Sequence, residues 1–171
     1  MHARVLGFDP GTAHTGYSLI TGTISKTHKE KPQLSGSWGV LRTSIDDADV
    51  RGRIDILGKE MSALIEDLKP THIAIEDFTE QGKIVGKTYK EMSWLTEHMR
   101  MVGRAHGYEV AIYENGYWKK QTIGIIHATK VQVQHYVLHH VKGAEVLTKL
   151  PKSKNHIWDS VGVGNCMYQS L

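Results

Sequence analysis

Cysteine and long hydrophobic runs are the scarcest features of this chain of 171 residues. Its single cysteine, Cys166, excludes an internal disulfide and any zinc site built from several thiolates, which suits a reducing compartment. No hydrophobic run approaches the ~20 residues that a membrane-spanning helix requires. Asp9 interrupts the first short apolar run too early for a signal peptide. These absences predict a cytoplasmic protein without a membrane segment.

Internal repeats, low-complexity tracts and interdomain linkers are also missing from the sequence. We therefore expect residues 1–171 to form a single domain, which is a length sufficient for a substantial core. Hydrophobic residues make up 40% of the chain and charged residues 23%, proportions that are ordinary for a globular domain.

The net charge of +3 is distributed unevenly along the chain. Residues 1–80 contain 9 Lys/Arg and 12 Asp/Glu, whereas residues 81–154 contain 12 Lys/Arg and 5 Asp/Glu. A basic segment beside an acidic site is what a nuclease requires, because lysines bind phosphates while carboxylates bind a metal. A solvated, lysine-rich surface would give the same pattern, so charge alone leaves both interpretations open.

Hydrophobic periodicity predicts a mixed α/β domain. Three successive strands without a helix between them indicate an antiparallel meander. A strand, a long helix and a further strand then indicate a right-handed crossover to a parallel strand. The predicted strands are Ala3–Phe8, Thr15–Thr21, Ser37–Arg42, His72–Ile75 and Glu109–Tyr113, with a polar loop at Thr23–Gln33. One predicted helix is capped by Asp49 and runs to Leu68, and a second long helix follows the Gly- and Lys-containing loop at Glu80–Lys87 and runs to about His106. The remaining predicted helices are Tyr117–Gly124, Lys130–Val141 and His156–Met167.

The second long helix carries two apolar stripes, of which one can pack on the sheet. The other stripe then requires a partner such as a second subunit, unless both are buried in one thick core. The first stripe consists of Val85, Tyr89, Met92, Met99 and Val102, and the second of Trp94, His98 and Met101.

Three carboxylates stand at the ends of predicted elements. Asp9 ends the first strand, Glu76 follows the strand His72–Ile75, and Asp159 lies near the start of the last helix. His156 precedes Asp159 by three residues, so the two share one helical face. Carboxylates that are far apart in sequence but lie at such ends can converge on one metal site, and acidic clusters of this kind run phosphoryl transfer with magnesium.

Two further polar features are left outside this predicted site. Asp77 points to the opposite face of its strand from Glu76 if the strand prediction holds. His135 and His139 are spaced for one helical face, but no glutamate follows His135, so the zinc-protease pattern is absent. We interpret the histidine pair as a feature of a helix surface.

Four collinear segments resemble the RuvC-type Holliday junction resolvases of the ribonuclease H-like superfamily. They are GFDPGT with TGY at residues 7–17, IAIE at 73–76, KQT with KVQVQH at 120–135, and HIWDS at 156–160. The resemblance covers nearly the whole chain. It implies a ribonuclease H-like α/β fold with a five-stranded mixed sheet flanked by helices.

The resemblance also implies an activity. It implies a homodimer that binds four-way DNA junctions and nicks two strands symmetrically, by metal-dependent hydrolysis that leaves 5′-phosphate ends. It implies Mg²⁺ as the cofactor, with Mn²⁺ able to substitute and two ions per site, and no small-molecule cofactor. A bacterial cytoplasm, with a bacterial or phage gene, fits the family.

Residue roles follow from the same resemblance. Asp9 would bridge the two metal ions, while Glu76 and Asp159 would each bind one. Many family members carry aspartate where His156 stands. His156 is then a metal ligand better suited to Mn²⁺, a base that orients the attacking water, or a bystander at the helix start.

The resemblance assigns the DNA contacts to lysines and one aromatic residue. Lys120 and Lys130 match family lysines near the scissile phosphate, where they would bind phosphate and stabilise transition-state charge, so Lys120 is also a predicted catalytic residue. Lys83, Lys87 and Lys90 follow Glu76 by a short loop and are predicted to line the DNA path. Phe78 either stacks on bases at the junction centre or belongs to the core.

Other protein classes share parts of this pattern. The Asp-x-Gly-Thr turn also marks the phosphate loop of actin-like sugar kinases and chaperone ATPases, but that fold needs a second copy, which the chain lacks. The segments at Lys120 and Lys130 argue against a ribonuclease H. A broader branched-DNA endonuclease that cuts forks or flaps, or a non-catalytic junction-binding module, remains the alternative.

Overall fold

A computed structural model describes residues 1–25, 30–77, 86–151 and 154–171. Its five-stranded sheet has the order β3-β2-β1-β4-β5. The first three strands pair antiparallel, and β4 and β5 extend the sheet in parallel with β1. The strands are β1 (His2–Asp9), β2 (His14–Thr23), β3 (Gln33–Arg42), β4 (His72–Asp77) and β5 (Val110–Glu114).

The helices complete the predicted order of elements. They are α1 (Val50–Leu68), α2 (Lys87–Ala105), α3 (Asn115–Ile123), α4 (Lys130–His140) and α5 (His156–Ser170), with a 3₁₀ helix at Ala144–Lys149. The expected five-stranded mixed sheet with flanking helices is therefore confirmed. No helix within the described residues is long and apolar enough to span a membrane.

The sheet is buried on both faces, as alternation along β1 shows. Val5 packs in the layer that contains α3, α4 and α5, whereas Leu6 and Phe8 pack in the layer that contains α1 and α2. In β4, Ala74 belongs to the first layer and Ile75 to the second. Side chains at odd positions of β1 and even positions of β4 therefore face α5.

Glycines allow α5 to lie directly on the centre of the sheet. A Cβ atom on Gly7 would overlap the carbonyl oxygen of Ser160 and would stand 3.1 Å from the backbone of Gly164. A Cβ atom on Gly162 would stand 2.6 Å from the Trp118 ring of α3. The position of α5 is thus determined by backbone contact with β1 on one side and by an indole ring on the other.

Helix α1 forms where the sequence predicts it. The Asp49 side chain accepts a hydrogen bond of 2.8 Å from the Gly52 amide and caps the helix. Lys69 in the left-handed conformation ends the helix, and Pro70 follows. The predicted apolar face is buried at Ile54, Leu57, Met61, Ile65 and Leu68.

In helix α2, the buried apolar stripe contains different residues from those predicted. Met92 and Met99 are buried as predicted, but Leu95 lies between them and Tyr89 is exposed, because 3.6 residues per turn carry Tyr89 away from the sheet. In the second stripe, Trp94 is 36% and Met101 59% exposed, so the interpretation that buries both stripes in one core is wrong. Val85 lies outside the described residues.

Several element boundaries also differ from those predicted. β3 begins at Gln33 rather than Ser37, because Gln33 and Leu34 still pair with β2 beyond a register shift. This pairing shortens the predicted loop at Thr23–Gln33, of which residues 26–29 lie outside the described residues. α5 runs to Ser170 rather than Met167.

Candidate active site

The topology brings Asp9 and Glu76 to one edge of the sheet. Phe8 pairs with Ile75, so the next residues, Asp9 and Glu76, stand together at the carboxyl ends of the parallel strands β1 and β4. By the alternation described above, both side chains lie on the α5 face, and both are buried. Asp77 belongs to the opposite face of β4, as predicted from the strand pattern.

The first turn of α5 supplies the remaining predicted ligands. The His156 Nδ1 atom donates a 2.7 Å hydrogen bond to Asp9 Oδ2. This hydrogen bond raises the pKa of His156, although burial acts in the opposite direction. Asp159 is fully buried and accepts a hydrogen bond from the Lys130 ammonium at the start of α4. The structure thus joins Asp9 to His156, and Asp159 to Lys130.

Glu76 has partners that sequence reasoning missed. Its Oε1 atom accepts a hydrogen bond from Asn115 Nδ2, and Asn115 Oδ1 accepts a 2.9 Å hydrogen bond from the Lys119 ammonium. Burial, reinforced by repulsion from Asp9, raises the pKa of Glu76 to about 7. Both missed residues lie on α3, which begins directly after β5 at the same sheet edge.

The donor set fits a divalent cation even though each carboxylate has a nitrogen partner. Within the described ranges, no three His, Cys, Asp or Glu side chains stand together as a ready-made metal cage. Glu76 Oε2 and Asp159 Oδ1 are nevertheless buried without any hydrogen-bond partner. A buried carboxylate oxygen without a partner is costly, and a cation bound at such an oxygen removes this cost. Carboxylate oxygens suit Mg²⁺ or Mn²⁺, and an imidazole among the ligands favours Mn²⁺.

The structure describes only some of the predicted DNA-contacting residues. Lys130 is at the acidic cluster with its side chain 51% exposed. Lys120 is exposed on α3, whereas the adjacent Lys119 is the lysine that faces the cluster. Phe78 and Lys83 lie outside the described residues, and of Lys87 only its backbone position at the start of α2 is described.

The histidine pair on α4 lies on the helix surface, as interpreted from sequence. The His135 and His139 rings are 4.1 Å apart between centroids and tilted by 30°, and both residues are exposed. His139 Nδ1 bonds the carbonyl oxygen of His135 at 2.7 Å. Neither ring makes a hydrogen bond to the acidic cluster among the residues that the structure describes.

Comparison with known proteins identifies the family. The model of the family "Crossover junction endodeoxyribonuclease RuvC" matches residues 5–164. The protein of that name from Heliobacterium modesticaldum is 27% identical over 98% of this chain and 94% of its own length. The one from Methylococcus capsulatus is 33% identical over 78% of this chain and 74% of its own.

A solved structure shares the fold. The structure of Thermus thermophilus RuvC in complex with a Holliday junction substrate has a TM-score of 0.74 and 20% sequence identity, and the match covers 98% of this chain and 94% of that one. The match at this identity establishes the common architecture of sheet and helices. Since the family model spans nearly the full sequence, the chain belongs to the RuvC family of crossover junction endodeoxyribonucleases.

Proposed function

We propose that this protein is a structure-selective DNA endonuclease that resolves four-way junctions by paired symmetric nicks and leaves 5′-phosphate ends. The observation that carries the proposal is the burial of Asp9 and Glu76 at one sheet edge and of Asp159 in the first turn of α5, with two carboxylate oxygens lacking partners. Family membership supports the same activity, and the Thermus relative was solved with a Holliday junction substrate.

In this proposal Asp9, Glu76, His156 and Asp159 would hold Mg²⁺, or Mn²⁺ in its place, with two ions per site. Ions bound there would activate water for attack near neutral pH and would stabilise charge on the leaving oxygen. The hydrogen bond from His156 Nδ1 to Asp9 leaves Nε2 available, which supports His156 as a ligand or as the group that orients water.

Lys130 has the position required of a phosphate-binding residue. Its ammonium is held beside buried Asp159, while half of the side chain remains exposed to an approaching DNA strand. A lysine at this place neutralises charge that develops on the scissile phosphate. We assign DNA contacts also to Lys120, Lys83, Lys87 and Phe78, and the exposure of Lys120 supports its part in this assignment.

We also propose that the protein acts as a homodimer through the exposed stripe of α2. Trp94 and Met101 form an apolar surface, and the cationic groups of Arg51 and Lys90 stand 5.3 and 4.9 Å from the Trp94 ring centre. A second copy that covers this stripe would provide the two active sites that paired nicks require. We further propose a single nuclease domain over residues 1–171, which the shared central sheet supports, and a location in the bacterial cytoplasm, which a DNA substrate supports.

One observation favours a second candidate, a non-catalytic junction-binding module. Every carboxylate of the cluster is paired with a nitrogen donor, and in such a module these pairs would replace the metal permanently. The partnerless oxygens of Glu76 and Asp159 argue for the catalytic candidate, because permanent pairing would leave them unsatisfied.

Cleavage of a labelled four-way junction tests the proposal. The junction is compared with linear duplex, a fork and an RNA–DNA hybrid, each with Mg²⁺ and with Mn²⁺. Paired nicks confined to the junction, lost in Asp9→Asn, support the resolvase, whereas cutting of forks as well extends the activity to branched DNA in general. Tight junction binding without cutting in either metal supports the binding module instead.

A further inference from the structure

Two adjacent lysines of α3 have opposite environments. Lys120 is exposed, whereas Lys119 is only 7% exposed although an ammonium group is rarely buried without a specific partner. Lys119 donates to Asn115 Oδ1 at 2.9 Å, one helical turn earlier, and its ammonium lies 5.5 Å from the Trp118 ring centre. A buried lysine that hydrogen-bonds a neutral amide beside an acidic cluster requires an explanation.

The Lys119 ammonium determines which end of the Asn115 amide faces Glu76. An ammonium group only donates hydrogen bonds, so it binds the carbonyl oxygen of the amide. The NH₂ group is thereby directed to Glu76, where Nδ2 donates to Oε1. The reverse orientation would set two hydrogen-bond acceptors, the amide oxygen and the carboxylate, against each other.

This arrangement also determines which oxygen of Glu76 is left open. Oε1 is occupied by Asn115, and Oε2 is the buried oxygen without a partner. Outer hydrogen bonds to a metal-binding carboxylate fix its orientation, and their removal typically lowers metal affinity or activity by about 10- to 100-fold.

We propose that Lys119 and Asn115 are positioning residues that act in series: the lysine orients the amide, and the amide holds Glu76 with Oε2 directed to a divalent cation. This inference rests on the proposed function, because Glu76 is there a metal ligand. It assigns different roles to the two adjacent lysines, because Lys119 positions the Glu76 carboxylate through Asn115 whereas Lys120 contacts the DNA.

The test compares Lys119→Met with Lys120→Met, which removes the same charge from the next residue. Asn115→Asp is the second variant, because aspartate has the same shape and keeps a partner for Lys119 but cannot donate to Glu76. Mn²⁺ binding is measured calorimetrically without DNA, and single-turnover cleavage of a four-way junction is measured across Mn²⁺ concentrations. Circular dichroism confirms that each variant is folded.

We expect Lys119→Met and Asn115→Asp to weaken Mn²⁺ binding by about 10- to 100-fold and to raise the half-saturating Mn²⁺ concentration equally. The double variant should be no worse than Asn115→Asp alone, because both residues act on one carboxylate. Lys119→Arg, which keeps a cationic donor, should recover part of the loss. Lys120→Met should bind Mn²⁺ as the wild type does, and its losses should fall on junction affinity and on the cleavage rate at saturating Mn²⁺.

Unchanged Mn²⁺ binding in both Lys119→Met and Asn115→Asp would overturn the inference. So would a Lys119→Met protein that behaves like Lys120→Met, because Lys119 would then be a further DNA contact. If the wild type binds Mn²⁺ but does not cut junctions, the proposed function fails, while the calorimetric comparison still decides the role of Lys119.

Discussion

Glu76→Gln should stabilise the metal-free protein above neutral pH. Burial and the charge of Asp9 raise the pKa of Glu76 from an ordinary 4.5 to about 7, so its ionised form is unfavourable in the fold. Stability from a group with a raised pKa is fully present below the unfolded value and is lost as pH rises through the folded value. The wild type should therefore lose stability between about pH 4.5 and pH 7, and the glutamine variant should lose less.

The pKa shift gives the size of this effect. At about 1.4 kcal/mol per pKa unit, a shift from 4.5 to about 7 corresponds to about 3 kcal/mol at full ionisation. His156 has a raised pKa from its bond to Asp9, and the stability it contributes is lost in the same direction as pH rises. Glu76 also raises the pKa of His156, as a smaller cause than Asp9, so the difference between the two proteins reports Glu76 together with its effect on that histidine.

Urea unfolding in EDTA at pH 5 and pH 8 measures the effect. We expect similar free energies of unfolding at pH 5 and an advantage for Glu76→Gln approaching 3 kcal/mol at pH 8. Glu109→Gln, at an exposed glutamate, is the matched control and should show no advantage. Saturating Mn²⁺ should stabilise the wild type and not the variant. A variant no more stable than the wild type at pH 8 would refute the reasoning.

Three further predictions concern the cluster and its support. Asp9→Asn should abolish junction cleavage and leave binding intact or tighter, because repulsion between carboxylate and phosphate falls; gel shifts at several salt concentrations check this, and normal cutting would contradict the assignment. Lys130→Ala should slow cleavage and lower the stability of the metal-free protein by roughly 1–3 kcal/mol, since it leaves buried Asp159 without its ammonium partner. An unchanged urea midpoint in EDTA would show that this ion pair does not stabilise the protein. Gly162→Ala should cost about 1–3 kcal/mol because the new methyl group overlaps the Trp118 ring, whereas Gly36→Ala, with no atom near its Cβ position, serves as the control; equal melting temperatures for the two would show that α3 moves aside freely.

Periodicity was sufficient to predict the sheet, helix α1 and the meeting of Asp9 with Glu76. Those features depend on strand ends and on a cap, Asp49, which are local properties of the sequence. The burial of Lys119 was not predictable in this way. Successive residues on a helix differ by about 100°, and the sequence of α3 has no clear apolar face to say which of two adjacent lysines turns inward.

Pairings within the cluster depend on side-chain contacts across long sequence separations. The bond between His156 and Asp9 joins residues 147 positions apart, and nothing local specifies it. The resemblance located the carboxylates and indicated their chemistry, and their roles as ligands stay predictions. The assignment of Lys120 as a catalytic residue also stays a prediction. The structure shows Lys120 exposed on the surface of α3.

The contact between Gly7 and α5 has a thermodynamic consequence. Asp9 lies two residues beyond Gly7, and Asp159 immediately precedes Ser160, whose carbonyl oxygen occupies the place of a Gly7 side chain. These two predicted ligands therefore cannot separate unless the helix leaves the centre of the core. On heating, loss of metal affinity and global unfolding should coincide in a single cooperative transition, with amides of β1 and α5 in the slowest class of hydrogen exchange.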